Sequence, residues 1–255
     1  ANNMSLIVVG GLDRLLPAYL ERSYGELTPA EPGERRALDG VTQKAETRRE
    51  LDRGWLGDSA KLHWLFLEPV LDNDHGQTFD LLQRYLDWAL YEELRLKHGV
   101  SYGPYTQRET FGDTGVMSLN ADLDRADLKE AEQALGNMLD RLRKNGLDPA
   151  TFARIKQAAI DREAWTTQGN SALADYYWGA LNDYLDGRFS DPARTLRRVS
   201  LEDANQALKQ LLAKPGYVRV ERPLISYNEL YGLIALGLGL ILAGILLWIK
   251  HRRQR

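Results

Sequence analysis

The sequence predicts an α+β fold: a two-layer domain with a mostly antiparallel sheet covered by helices, followed by one C-terminal transmembrane helix. Three observations carry this reading. Short apolar or alternating runs recur between longer segments of helical period. Residues 125–212 read as successive helices, which segregates much of the helix from the strands. Residues 230–249 then form an apolar run without a charge, and at about 1.5 Å per residue a helix of that length crosses a hydrocarbon core of roughly 30 Å.

In chain order, Ser5-Leu6-Ile7-Val8-Val9 is a continuous apolar run closed by Gly10-Gly11 and reads as a buried strand. A helix over 13–24 follows, with Asp13 as N-cap and Leu15, Leu16, Tyr19 and Leu20 as its apolar face. The two adjacent glycines are too few for a dinucleotide-binding turn. Residues 25–44, rich in Pro, Gly and charge, read as an exposed loop. Strands are predicted over 44–51 and 60–67, where Leu62, Trp64 and Phe66 alternate with Lys61, His63 and Leu65. Phe79, Leu82, Leu86, Ala89, Leu90 and Leu94 recur at three- and four-residue spacing, so a helix is expected over 78–97 with Gly99 as its C-terminal cap.

A hairpin is predicted from strands 101–109 and 115–121, turning through Phe111-Gly112-Asp113. Helices are expected over 125–144, 148–166, 170–186, 191–198 and 201–212, with Gly146 closing one and Asp148-Pro149 opening the next. Residues 217–221 read as a last strand. Trp55, Trp64, Trp88, Trp165 and Trp178 are expected to pack in the core or between helices. The domain organisation that results is 1–222 for the α+β domain, 223–229 for a tether, 230–249 for the span and 250–255 for a basic tail.

Charge supports the membrane reading. The segment from 230 onward holds Lys250, Arg252, Arg253 and Arg255 and no acid, so a formal net charge of −3 leaves −7 on residues 1–229. An acidic body lacks the clustered cations that neutralise phosphates, and no nucleic-acid partner is expected. Tyr231 and Trp248 lie near the two ends of the span, where amphipathic rings favour the interface. The basic tail is expected to stay cytoplasmic, which puts the domain on the far side, the periplasm or cell exterior in a bacterium; an export signal is then expected upstream of Ala1, the alternative being a cytoplasmic domain that the tail anchors. Ala235, Gly239 and Ala243 form a small-residue stripe able to pack a second helix, a spacing equally common in spans that pack none. The chain contains no cysteine, which excludes disulfides, zinc ribbons and thiol nucleophiles.

The segment Tyr91-Glu92-Glu93-Leu94-Arg95-Leu96-Lys97-His98-Gly99-Val100-Ser101-Tyr102-Gly103-Pro104 joins the long helix to a strand and sets an arginine seven residues before a tyrosine. With the opening Asn2-Asn3-Met4-Ser5-Leu6-Ile7-Val8-Val9-Gly10-Gly11-Leu12-Asp13 and the order of elements, it resembles the second, non-zinc domain of the pitrilysin/insulinase family of zinc metallopeptidases. The family often carries glycines before this turn, where Leu86-Asp87-Trp88-Ala89 stands here. Its zinc motif, H-x-x-E-H, is absent: the four histidines His63, His75, His98 and His251 make no pair at metal-ligand spacing. The resemblance implies that zinc sits on a complementary domain or subunit, and that this chain alone is not a zinc peptidase.

It further implies that Arg95 and Tyr102 face a chamber shared with that zinc-bearing partner. There they would contact a peptide substrate and the oxyanion that forms on its scissile carbonyl. From the residues alone, Arg95 pairing with Glu92 or Glu93 and Tyr102 as an ordinary strand aromatic stand as the simpler reading. Two functions are therefore carried forward. One is the carboxyl-terminal domain of a membrane-anchored zinc metallopeptidase; the other is a non-catalytic scaffold or peptide-binding subunit of a membrane complex. A generic α+β domain on a membrane tether remains if the resemblance is false.

Overall fold

The structure is a computed structural model that describes residues 4–28, 46–69, 76–111, 114–166, 168–181 and 191–254. Five strands, β1 (Arg48–Asp52), β2 (Ser59–Leu67), β3 (Tyr105–Phe111), β4 (Thr114–Asp124) and β5 (Tyr217–Arg222), form one sheet in the order β1-β5-β2-β4-β3. Every neighbouring pair is antiparallel except β1 and β5. The alternation read in 60–67 sets which face is buried. Leu62, opposite Ala121 and Val220, and Phe66, opposite Met117, point into the core, while Lys61 and His63 point away.

The helices before the last are α1 (Leu16–Tyr24), α2 (Gly76–Tyr91), α3 (Leu128–Asn145), α4 (Pro149–Thr166), α5 (Asn170–Gly179), α6 (Pro192–Arg198) and α7 (Leu201–Leu211). α2, α3, α4, α6 and α7 bury side chains in the core against the apolar face, whereas α1 and α5 bury none. In α2 the buried Phe79, Leu82, Leu86 and Leu90 follow the predicted spacing. In α3 the same period buries Leu128, Ala131, Leu135, Met138, Leu139 and Leu142. Gly146 ends α3 at φ +73°, and Asp148 accepts a hydrogen bond from the Thr151 amide at 2.8 Å as α4 begins. α7 starts from a reciprocal cap between Ser200 and Asp203.

The turn into β5 is tightly built. Trp64 Nε1 donates to the Pro215 carbonyl at 3.0 Å, and Gly216 follows at φ +78°. A Cβ on Gly216 would lie 2.7 Å from the Phe66 ring, 2.8 Å from the Leu65 carbonyl and 2.9 Å from Trp64 Nε1. Gly216→Ala is therefore expected to destabilise the domain by about 1–3 kcal/mol, from backbone strain and overpacking together, read as a lower midpoint in thermal unfolding.

Several elements depart from the expectations. Residues 5–9 are not a strand: they pair with none of the five strands, and Leu6 and Val8 are exposed. An apolar run becomes a strand only with a ladder partner, and the described chain offers it none. α1 likewise buries no residue, so Leu15 and Tyr19 of its expected apolar face stand in solvent. The strand expected from 101 begins at Tyr105, leaving Tyr102 in a bend outside the sheet. Of the five tryptophans expected in packing, Trp55, Trp165 and Trp178 are exposed, on a loop and on helices that end at the surface. Residues 29–44 of the loop expected over 25–44, residues 44 and 45 of the strand expected over 44–51, the hairpin residues Gly112 and Asp113, His75, and residues 182–186 of the helix expected over 170–186 lie outside the described residues.

The last helix, α8 (Tyr227–Arg253), starts from a second reciprocal cap, between Ser226 and Glu229. Tyr227, Asn228 and Glu229, expected in the tether, form its first turn. The apolar part of α8 is long enough to cross a membrane, and none of that window is buried against the rest of the chain.

Candidate functional site

The turn after α2 is wound as a π-helix over Glu92–Lys97. His98 N–H donates to the Glu93 carbonyl five residues back at 3.2 Å, and Val100 N–H reaches the Leu94 carbonyl at 2.9 Å. Gly99, at φ +68°, then reverses the chain. Wider winding of this kind re-aims side chains relative to an α-helix, and Arg95 lies inside it.

Glu93 fixes the turn to the body of the domain. Its buried carboxylate contacts Arg141 of α3 at 2.7 Å and Lys97 at 3.3 Å. Burial acts to raise its pKa, but hydrogen bonds from Arg141 and Lys97 prevail and hold it below the ordinary glutamate value. These contacts also settle one alternative. Lys97 pairs with both Glu92 and Glu93, while Arg95 turns the other way, toward the chain that follows.

There Arg95 braces Tyr102. Its Nη1 donates to the Tyr102 carbonyl at 2.5 Å, and its guanidinium lies 4.1 Å from the centroid of the Tyr102 ring. The same guanidinium is 5.2 Å from the Tyr91 ring, which stacks on Trp88 with centroids 6.1 Å apart. Arg154 of α4 lies over the far side of this row, 4.9 Å from Trp88. Ser101 Oγ donates to the Asp122 carbonyl at 2.7 Å, tying the bend to β4. The structure thus brings Arg95 and Tyr102 into contact, with Tyr102 itself 84% exposed.

Trp88, which the sequence suggested only as a packing residue, and Tyr91 complete the row beside Arg95. The signal was present, since Trp88, Tyr91 and Arg95 lie three and four residues apart and share one helix face. Chemically, the arrangement is a phenol presented to solvent on a main chain that a fixed cation holds in place.

The sheet face opposite the apolar one is mostly polar, with Lys61 exposed, His63 half-buried and Asn120 buried among its neighbours. It carries Lys61, His63, Asn120 and Arg219 in cross-strand register, with His63 Nδ1 2.7 Å from Asn120 Oδ1. Among the described residues, no group of three or more His, Asp or Glu side chains is arranged to hold a metal ion, so their donor sets do not fit zinc.

Comparison with known proteins agrees with this fold. The family described as "Peptidase M16 inactive domain" matches residues 1–159. A peptidase M16 inactive domain from Pseudomonas fluorescens superposes with a TM-score of 0.60 at 16% identity, over 74% of this chain and 46% of that one. Pitrilysin superposes with a TM-score of 0.55 at 17% identity, over 80% of this chain and 22% of its own. The ferredoxin protease FusC, solved as a mutant in complex with Arabidopsis ferredoxin, gives a TM-score of 0.56 at 13% identity, over 72% of this chain and 21% of its own. The chain spans less than half the length of each of these solved proteins. No curated protein matches the chain in sequence.

Proposed function

The chain belongs to the peptidase M16 inactive-domain family, and from this premise we propose that it is the carboxyl-terminal half of a membrane-anchored zinc metallopeptidase. Its partner is a complementary domain or subunit that carries the H-x-x-E-H motif and the zinc. Between them the two halves enclose a chamber for extended peptide, to which Tyr102 contributes a hydrogen-bond donor and Arg95 the brace that positions it. The observation that carries this reading is the Arg95–Tyr102 contact on a π-helical turn, with Tyr102 exposed beside it.

Residues 4–28 supply the contact with the zinc-bearing half in this reading. An unpaired run of Leu6, Ile7, Val8 and Val9 offers main-chain hydrogen bonds to a sheet edge, and the exposed Leu15 and Tyr19 offer apolar surface beside it. Residues 230–249 of α8 span the bilayer, leaving the basic tail in the cytoplasm and the domain outside it.

One observation favours the scaffold reading. Arg95 spends its guanidinium on the Tyr102 carbonyl and ring, which leaves less of it for a substrate carboxylate or carbonyl. Co-expression with an H-x-x-E-H domain separates the two readings. For the peptidase, the purified pair is expected to cleave a quenched unfolded peptide and to lose that activity with a chelator. For the scaffold, it is expected to bind the peptide without cleaving it. An isolated chain that neither pairs with the zinc domain nor binds peptide would overturn both.

A further inference from the structure

The connection between the domain and α8 is not a free tether. Leu224 N–H donates to the Gly54 carbonyl at 3.1 Å, Ile225 N–H to the Trp55 carbonyl at 3.0 Å, and Gly57 N–H to the Ile225 carbonyl at 3.1 Å. These bonds carry the parallel pairing of β1 and β5 onward to the residue before the helix cap. Tyr227 N–H then donates to Asp58 Oδ1 at 3.1 Å. One residue pair completes the joint. Arg125, largely buried beyond the end of β4, holds Glu229 of the first helical turn through both carboxylate oxygens, at 2.6 and 3.3 Å.

The loop held in this way is apolar at its tip. Trp55 is 79% exposed, and Leu56, Leu224, Tyr227 and Tyr231 are exposed around it. The cations nearby are already matched: Arg53 with Glu221, Arg125 with Glu229 and Arg222 with Glu50. The patch therefore calls for an amphipathic, uncharged surface rather than an acidic one. Its height is also defined. Ile225, the partner of Trp55, lies roughly 8–11 Å above Leu230 along the chain, by helical and extended rise. The headgroup zone of a leaflet is about 5–8 Å thick, within reach of an indole from that height.

We propose that the loop 54–57, with Leu224, Tyr227 and Tyr231, is a bilayer-docking platform, and that the Arg125–Glu229 pair locks the domain in one orientation on the membrane. Trp55 and the two tyrosines occupy the headgroup region of the leaflet that α8 enters, where ring faces meet acyl chains and polar edges stay hydrated. The Arg95–Tyr102 bend is tied to Asp122 of β4, three residues before Arg125, or roughly 10 Å of extended chain. Docking therefore keeps the candidate site close to the lipid surface, where a peptide emerging at the membrane would meet it. The proposal rests on the membrane reading of α8.

The absence of native cysteines makes the test direct. The full chain is reconstituted in phosphatidylcholine vesicles with a single fluorophore on Leu56→Cys, Leu240→Cys or Glu202→Cys, and quenching by nitroxide-bearing phosphatidylcholine is measured. Quenching several-fold stronger at both 56 and 240 than at 202 is the expected result. Adding Arg125→Gln is expected to reduce the signal at 56 toward that at 202 and to leave 240 unchanged. Quenching at 240 with none at 56 overturns the docking platform and leaves the span intact. Quenching at 56 that survives Arg125→Gln overturns the lock. No quenching at 240 removes the span, and the proposal with it.

Discussion

Replacing Tyr102 with phenylalanine is expected to lower peptide turnover of the assembled peptidase by about 10²–10³-fold, the usual loss for one preorganised oxyanion donor. The folded chain should not register the change. The contacts of Tyr102 to Arg95 run through its main-chain carbonyl and its ring face, both of which phenylalanine keeps. Its exposure means that the hydroxyl deletion opens no cavity. The variant should therefore unfold at the same temperature and pair normally with the zinc-bearing half, with the deficit confined to turnover at saturating peptide. Arg95→Lys removes the planar fork but keeps the charge, and is expected to give a smaller loss of the same kind through a less well-held Tyr102. Unchanged turnover in Tyr102→Phe would remove the tyrosine from the chemistry and return the site to a structural role.

Arg108→Met is expected to destabilise the domain by about 3–5 kcal/mol at neutral pH, the largest stability effect anticipated for a single charge here. Arg108 on β3 holds Glu68 just past β2 through Nε, at 2.8 and 2.9 Å, and also reaches Asp80 of α2. The Glu68 side chain is fully buried, so removing the cation strands a carboxylate in the interior. Burial already pushes the pKa of Glu68 above the ordinary glutamate value, with Arg108 opposing it. A raised pKa in the folded state means that the native protein binds this proton more tightly than the unfolded chain does. The stability linked to that proton is present below the unfolded pKa and is lost as pH rises through the folded one.

Without Arg108 the shift grows, so the unfolding deficit of the variant should shrink as pH falls into the acid range. The double variant Arg108→Met with Glu68→Leu removes both charges and should recover most of the loss. Single-variant damage that stays constant with pH, or a double variant as unstable as the single one, would show that Arg108 acts by packing alone. Glu93 has the opposite sign. Its pKa is held below the ordinary value, so its contribution is present above the unfolded pKa and lost as pH falls through the folded one.

How far the sequence reached depends on how local each question was. The strand over 60–67 and the helix face of α2 were legible because burial repeats every two or 3.6 residues, a period the chain displays whatever packs on it. The caps at Gly99, Gly146 and Asp148 were legible for the same reason, since each acts within one turn. Residues 5–9 failed because an apolar run states only a wish to be buried. Whether it becomes a strand depends on pairing with an edge from elsewhere, and residues 5–9 pair with neither edge of the five-stranded sheet.

The site divides along the same line. Arg95 and Tyr102 were found through a resemblance carried by fourteen consecutive residues, 91–104. Their roles relative to one another were not readable there. With Glu92 and Glu93 three and two positions away, sequence spacing favours a local ion pair for Arg95, and a few tenths of a kcal/mol separate such surface choices. In the folded chain Glu93 pairs with Arg141 of α3 and with Lys97, Glu92 pairs with Lys97, and Arg95 bonds to Tyr102.

The sequence by itself determined that this protein has an α+β body, a resemblance to the non-zinc half of a two-part peptidase, and an uncharged apolar helix long enough to cross a membrane. Each of these rests on residue type and period along one stretch of chain. Only the tertiary structure decided that Tyr102 stands clear of the sheet in the bend after a π-helical turn, that Arg95 reaches it, and that α8 is clamped to the domain through Arg125 and Glu229. Those features join residues as far as 104 positions apart. Which of several chemically equivalent partners a charged or aromatic side chain meets is settled by how the elements pack, and the pattern within any one element is silent on it.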